Sequence, residues 1–451
     1  MDQSLDTNAI TLTKTLCGYL ADAQYGDLTP RAVGEAKRGV LDWLGCALAG
    51  SWHSTIDKLL AVLQEAGGKP QATVFARGLR LGFLDAPLAN GQMGHLLDFD
   101  DTHAGGVLLH TSSPVLAALF ALAERAPVSG KNFMLAYAVG FEAGVRSGRS
   151  APHHHNGGWH LTGTLGSIAA GVAAGKLISL NKQSLTYAMG IAATQAGGMQ
   201  QNRGTMCKSF HAGKAAANGV LAALLAEQGF DSTQEIIEGE KGFSRIYSNT
   251  ADVDQLTAGL GNGWLIESNG HKPYACGLVL HPLIDAVIAL RAKTKLSAAG
   301  VDEITVRVHP LALSVTGVVE PSSGLQSKFS LYHSAAVAFV DGNAGVAQYT
   351  DAKANDPALV ALRRKVKVVI DETLGKDEAH ATVVAGNVSE AVRVPHASGT
   401  FANPMSDAAI EAKFMANATP VIGEARAKRV CGLVWALESM PDMRELIEVV
   451  A

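Results

Sequence analysis

Apolar residues recur three and four positions apart along most of the first 260 residues, the spacing of a single buried helix face. In RAVGEAKRGVLDWLGCALAG the stripe is Val33, Ala36, Val40, Leu41, Leu44 and Ala47. Thr29-Pro30 offers a capping hydroxyl followed by proline at the first helical position, and Gly50 ends the run. Ser112-Ser113-Pro114 opens another helix into VLAALFALAERA, and Ser129-Gly130 leads into NFMLAYAVGFEAGVR. TGTLGSIAAGVAAGKLISL, NKQSLTYAMGIAATQAGG and GKAAANGVLAALLAEQGF continue the series, the last stopping at Gly229. The pattern predicts helices almost throughout this part. Alanine and glycine dominate the faces, so helix axes can approach closely, and AAGVAAG reads as packing.

The period changes after Gly261. VDEITVRVHP alternates around Ile304, Val306 and Val308, as a half-buried strand does. VKVVID, HATVVAG and EAVRVPH are further strands, while LIDAVIALRAK and SLYHSAAVAFVDG read as helices. Beyond Asn403-Pro404, SDAAIEAKFMANA and AKRVCGLVWALESM return to helical spacing. The fold class is mainly α, with a mixed α/β domain over 263–399 and a discontinuous all-helical domain over 1–262 and 400–451.

Composition narrows the function classes. A chain of 451 residues with 47% hydrophobic content can bury more than one core. A net charge of −4 gives no reason to expect nucleic acid or a polybasic membrane contact. Five cysteines lie far apart without a CxxC pair, which fits free thiols in a reducing cytoplasm. The opening MDQSLDTNAITLTK carries acids early and has no leader pattern of charged then apolar residues. The longest apolar stretch, 161–180, is mostly Gly, Ala, Ser and Thr with Lys176 inside it, a packed helix rather than a bilayer span. A soluble cytoplasmic protein is expected.

Chemistry concentrates in ANGQMGHLLDFDDTHAGGVLLHTSSP, residues 89–114, which holds His95, Asp98, Asp100, Asp101, Thr102, His103 and His110. Carboxylates and imidazoles so close together shift one another's pKa values and suit acid–base or metal chemistry. A solvated, capped interhelical loop would have the same composition. His153, His154 and His155 are adjacent, so they point in different directions and read as a polar loop. His160 lies just before a helix that Thr162 is placed to cap, an arrangement suited to an anion. NRGTMCKSFHAGKAA gathers Arg203, Lys208, His211 and Lys214 beside a glycine turn, which suggests carboxylate or phosphate recognition, although no P-loop can be drawn through it. Lys272 and His281 in HKPYACGLVLHPLIDA stand at the junction of the two sequence regimes.

Several motifs occur together along nearly the whole chain: LDFDDTH, GWHLTGTLG, KSFHAGKAAANGVLAALLAEQGF, EGEKGF, KPYAC, HPLIDA and KFSLYHSAAVAFVDG. In this combination and order the chain resembles the MmgE/PrpD family, which includes 2-methylcitrate dehydratase, cis-aconitate decarboxylase and iminodisuccinate epimerase. The resemblance implies a large all-helical domain with a smaller α/β lid domain and the active site in the cleft between them. It also implies homodimers, a small polycarboxylate substrate, no cofactor and no metal. Its catalytic positions fall on Asp98, Thr102, His110, His160, Lys208 and His281, with Lys272 toward substrate carboxylates; outside those positions, Arg203 and Ser209 are candidate substrate-binding residues. Thr111 stands where the family has proline after the histidine, and Ala275 where it has the proline of YPC. Both departures bear on substrate rather than on family.

The shared chemistry can be argued from these residue types. Negative charge that develops beside a carboxylate needs cations, here Lys208, Lys272 and Arg203. Proton transfer needs a group titrating near neutrality, for which His160 and His110 both qualify, and Asp98 would orient a histidine. Dehydration of a 2-methylcitrate-like substrate is the first expectation, with cis-aconitate-type decarboxylation or iminodisuccinate-type epimerisation as alternatives. A metal-dependent helical enzyme using Asp98, Asp101 and His103 as ligands is a further reading. A non-catalytic scaffold would leave the lysines and imidazoles of four segments without a common purpose.

Overall fold

Thr29 starts its helix as its side chain dictates: Oγ1 accepts from Ala32 N–H at 3.0 Å, and the helix runs Pro30–Gly50. Ser129 and Asn181 do the same for Gly130–Arg149 and Lys182–Ala193. Ser112–Ala123, Leu161–Leu177 and Met206–Glu227 complete the predicted series. The computed structural model describes residues 11–103 and 105–451, so the first ten residues of the N-terminal stretch read above lie outside the described residues. Among the described residues no helix is long and apolar enough to cross a membrane.

The chain forms two compact units. The helical unit comprises the described residues up to Leu96, then Asp100–Asn269 and Ile410–Ala451. Its core is built on close helix contacts, as the small residues allow. A Cβ on Gly219 would lie 2.4 Å from Ala170 Cβ, and one on Gly213 only 2.0 Å from the Leu88 carbonyl oxygen. Any side chain there would force the helices apart. Trp43, Phe75, Phe120 and Phe133 fill the wider space, with ring centroids 4.8–5.9 Å apart along the chain of contacts. The C-terminal segment is tied in by main-chain bonds from Gly130 N to Met440 O (2.9 Å) and from Met443 N to Val128 O (2.8 Å). Lys413 adds a buried ion pair to Asp42 at 2.6 Å.

The expectation of helices almost throughout the first part needs one correction. Ala72–Val74 and Leu79–Leu81 pair antiparallel as a hairpin, Ala72 opposite Leu81. Three residues per strand are too few to display a period of two. The turn uses positive φ at Ala76 and Gly78.

The second unit comprises Leu97–Phe99 and Gly270–Ala409. Its sheet has four strands in the spatial order Val366–Ile370, Glu303–Val308, Ala379–Ala385, Val388–Val394. The first pair is parallel, with Ile304 opposite Val366; the others are antiparallel, with Val306 opposite Ala381 and Ala381 opposite Val392. Ile304, Val306 and Val308 are the buried face, as the alternation predicts. The helices His281–Thr294 and Leu331–Asp341 pack with this sheet.

Candidate active site

The helix Asp85–Leu96 carries His95 in its last turn. The chain then leaves the helix at Asp98, whose φ of 55° is left-handed, and brings Asp100 back against the imidazoles. Asp100 is fully buried, as is the His95 side chain. Nδ1 of His95 donates to its carboxylate, at 2.9 Å from Oδ2 and 3.1 Å from Oδ1. Ser113 Oγ donates to Oδ2 at 2.8 Å, and His110 Nδ1 lies 3.4 Å from Oδ1. His110 immediately precedes the helix Ser112–Ala123; its Nδ1 is also 2.9 Å from the Asp101 carbonyl oxygen and 3.0 Å from Thr102 Oγ1.

Two further imidazoles join this pair. His160 is the N-cap residue of Leu161–Leu177, and its ring stacks on His95 with centroids 5.4 Å apart. His211, in the second turn of Met206–Glu227, places its Nδ1 3.0 Å from Nδ1 of His160. Such a contact holds one proton between two nitrogens, so one ring donates and the other accepts. Lys208 lies on the same helix, and its ammonium is close enough to lower the basicity of His95, His160 and His211.

The electrostatics follow from burial and charge. Burial would raise the Asp100 carboxyl, but His95 and His110 override it and hold it well below the ordinary carboxylate value. Burial lowers His95 to about 4; Asp100 opposes this, and Lys208 and His110 add to it. Burial likewise places His160 well below an ordinary imidazole, helped by His95, Lys208, His110 and His211. At neutral pH these buried rings are therefore neutral, with lone pairs available as bases.

Candidate ligand atoms of His95, Asp100 and His110 lie within 4.8 Å of one another. The bonding leaves only the Nε2 atoms of the two imidazoles with lone pairs, since both Nδ1 atoms donate. The Asp101 carbonyl can only accept, so the proton sits on Nδ1 of His110 and that atom has no lone pair to offer. The alternative ligand set Asp98, Asp101 and His103 is otherwise engaged. Asp101 receives Ser112 Oγ and Asn269 Nδ2, and His103 Nδ1 donates to the Val107 carbonyl at 3.0 Å while its ring packs on Phe141.

The remaining expected positions separate by unit. In the helical unit, Ser209 is buried, accepts from Gln92 Nε2 at 3.2 Å and donates to the Met206 carbonyl at 3.0 Å. Arg203 is exposed, its Nη2 3.5 Å from His155 Nε2. Thr162 does not cap its helix: it lies inside the first turn, and its Oγ1 accepts from His110 N–H at 3.4 Å. The three adjacent histidines do diverge, but His154 is buried against Phe243 and Tyr247 rather than solvated. In the second unit, Lys272 Nζ is 3.1 Å from Asp98 Oδ1 and 2.9 Å from the Asp98 carbonyl oxygen. His281 begins its helix, buried, with its ring 5.3 Å from that of Tyr274.

In the helical unit the carboxylate in contact with His95 and His110 is Asp100, while Asp98 pairs with Lys272. His95, Asp100 and His211 were not among the positions the family motif assigned. Their signal was present as composition in residues 89–114 and 203–214. Spacing could not rank Asp100 above Asp98, because the chain leaves the helix between His95 and Asp100.

Comparison with known proteins gives the family. The MmgE/PrpD N-terminal domain matches residues 14–256 and the MmgE/PrpD C-terminal domain matches residues 274–438. A cis-aconitate decarboxylase of Aspergillus terreus is 28% identical over 99% of this chain and 97% of its own. The cis-aconitate decarboxylase-like protein oryM of Aspergillus oryzae is 27% identical, over 98% and 97%. A cis-aconitate decarboxylase of Mus musculus is 25% identical, over 96% and 92%. The two domain matches cover both sequence regimes in order, and the chain belongs to the MmgE/PrpD family.

Proposed function

We propose that the protein is a lyase acting on a small polycarboxylate by cis-aconitate-type decarboxylation. The observation that carries this reading is the end-to-end similarity to cis-aconitate decarboxylases, 28% identity over 99% of the chain. It supports the decarboxylase alternative better than the 2-methylcitrate dehydration expected first. In the proposed reaction the bond from carbon to one carboxylate breaks and carbon dioxide leaves. The electron pair is delocalised toward a neighbouring carboxylate, and a proton is then added at carbon.

The imidazole group suits the proton step. His110 and His160 are the proposed proton carriers, with His110 presenting Nε2 because Nδ1 is held by the Asp101 carbonyl. Lys208 is the proposed cation beside the developing negative charge. Lys272 and His281 take their proposed roles from the family motif. The reading includes a homodimer and needs neither metal nor organic cofactor.

The test is direct. Purified protein is incubated with cis-aconitate, citrate, 2-methylcitrate and iminodisuccinate after exhaustive chelation, and followed by proton NMR and carbon dioxide release. Carbon dioxide from cis-aconitate supports the proposal. Inertness toward cis-aconitate combined with alkene formation from 2-methylcitrate would restore the dehydratase reading. Activity that disappears on chelation and returns with a divalent ion would remove the cofactor-free mechanism.

A further inference from the structure

We propose that Asp101 is a positioning residue for His110: its anchored carboxylate fixes the main-chain carbonyl that keeps the proton on Nδ1 and leaves Nε2 to the reaction. Its catalytic consequence rests on the lyase reading; its structural consequence, a single tautomer of His110, does not.

Three oxygens surround His110 Nδ1: the Asp101 carbonyl at 2.9 Å, Thr102 Oγ1 at 3.0 Å and Asp100 Oδ1 at 3.4 Å. The carbonyl and the carboxylate can only accept. Nδ1 therefore carries hydrogen in the neutral ring, and the lone pair is on Nε2. The carbonyl that imposes this belongs to a residue whose own side chain is clamped. Asp101 is fully buried and receives Ser112 Oγ, Asn269 Nδ2 and, at 3.4 Å, Tyr137 OH. Ser112 Oγ also meets Tyr137 OH.

These donors come from three places: the first turn of Ser112–Ala123, the middle of Gly130–Arg149, and the residue after the short turn Leu265–Ser268. Burial pushes the Tyr137 phenol well above its ordinary value and Asp101 adds to the effect, so Tyr137 remains a neutral donor. A carboxylate held from three elements cannot rotate without stranding buried donors, and its main chain is held with it. The clamp thus reaches the imidazole through one peptide unit. A purely structural Asp101 would stabilise the fold but leave the His110 tautomer indifferent to its removal.

The experiment uses the full chain labelled with ¹⁵N-histidine, reading Nδ1 and Nε2 shifts, with His110 signals assigned by their loss in His110→Asn. Wild type should show one His110 tautomer with hydrogen on Nδ1. Asp101→Asn should give a mixture of tautomers and lower kcat on cis-aconitate by about 10²-fold, within the range of general acid–base help, with KM little changed. If Asp101→Asn does not fold, the Ser112→Ala/Tyr137→Phe double variant carries the same test, since it strips two anchors and leaves Asp101 in place. Hydrogen on Nε2 in wild type, or a pure Nδ1–H tautomer retained in the folded variants, overturns the proposal. A wild type inert toward cis-aconitate would defeat the lyase reading alone, because the tautomer spectra still decide this one.

Discussion

Lowering the pH from about 8 to about 5 is expected to remove several kcal/mol of folding stability, because several imidazoles are buried in neutral form, among them three whose contribution can be worked out. His95 lies in the site, His103 packs on Phe141, and His154 packs between Phe243 and Tyr247 with Nε2 3.1 Å from Thr164 Oγ1. Burial lowers His95 and His103 to about 4, from an unperturbed 6.5, and His154 to about 3. The sign follows from the order of protonation. As the pH falls below 6.5 the unfolded chain binds protons first, so the stability present above that value declines until the folded rings titrate too. At about pH 5 each imidazole contributes a loss of about 2 kcal/mol, from 1.36 kcal/mol per pH unit. Three together approach about 6 kcal/mol, a large share of a typical folding free energy of roughly 5–15 kcal/mol. Burial raises the carboxyls of Glu142 and Asp285, which act in the opposite sense on acidification.

Urea melts followed by circular dichroism at the two pH values measure the effect. His154→Phe is the diagnostic variant, since it keeps an aromatic ring against Phe243 and Tyr247 and gives up only the bond to Thr164. It should be about 1 kcal/mol less stable at pH 8 and lose about 2 kcal/mol less on acidification. A wild-type midpoint that does not move with pH, or a variant as acid-labile as wild type, would refute the reasoning.

Other consequences concern packing and charge. Lys413→Met should destabilise by about 3–5 kcal/mol in thermal melts, because it strands the buried Asp42 carboxylate, and Asp42→Leu in the same chain should recover part of the loss. Gly213→Ala should cost about 1–3 kcal/mol in the same assay and lower turnover, since Gly213 shares its helix with Lys208 and His211 and the added carbon meets the Leu88 carbonyl of the helix Asp85–Leu96. Lys208→Ala should weaken substrate binding and kcat together in steady-state kinetics; a change in KM alone would limit Lys208 to ground-state binding. A bound tricarboxylate places negative charge beside imidazoles that burial has made weakly basic, so binding should take up protons and weaken as pH rises. Calorimetry in buffers of different ionisation enthalpy measures that uptake, and proton release would contradict it.

Much of the fold was legible because local chemistry and burial agree. Thr29 and Ser129 cap where the sequence starts their helices, and the Ile304–Val308 alternation is the buried face of its strand. The hairpin at Ala72–Leu81 was not legible, since its strands are too short for a period and its turn depends on two left-handed residues. In the site, the residue types and segments could be read, but partners could not. Thr162 looked like a cap by position, yet the capping place is taken by the backbone at His160, and the hydroxyl turns to the main chain of His110. Hydrogen bonds across fifty residues leave no trace in local spacing.

The same limit explains how the polar segment divides its work. Outside a helix, successive side chains point to different sides, so neighbouring carboxylates need not serve one purpose. Asp98 pairs with Lys272, Asp100 takes the Nδ1–H of His95 and borders that of His110, and Asp101 is clamped by Ser112, Tyr137 and Asn269. Three aspartates within four residues thus hold a cation, an imidazole pair and a backbone carbonyl. Such a sequence looks like a metal site by composition. Each carboxylate finds its donors on a different element, and burial makes every one of those bonds expensive to leave unmade.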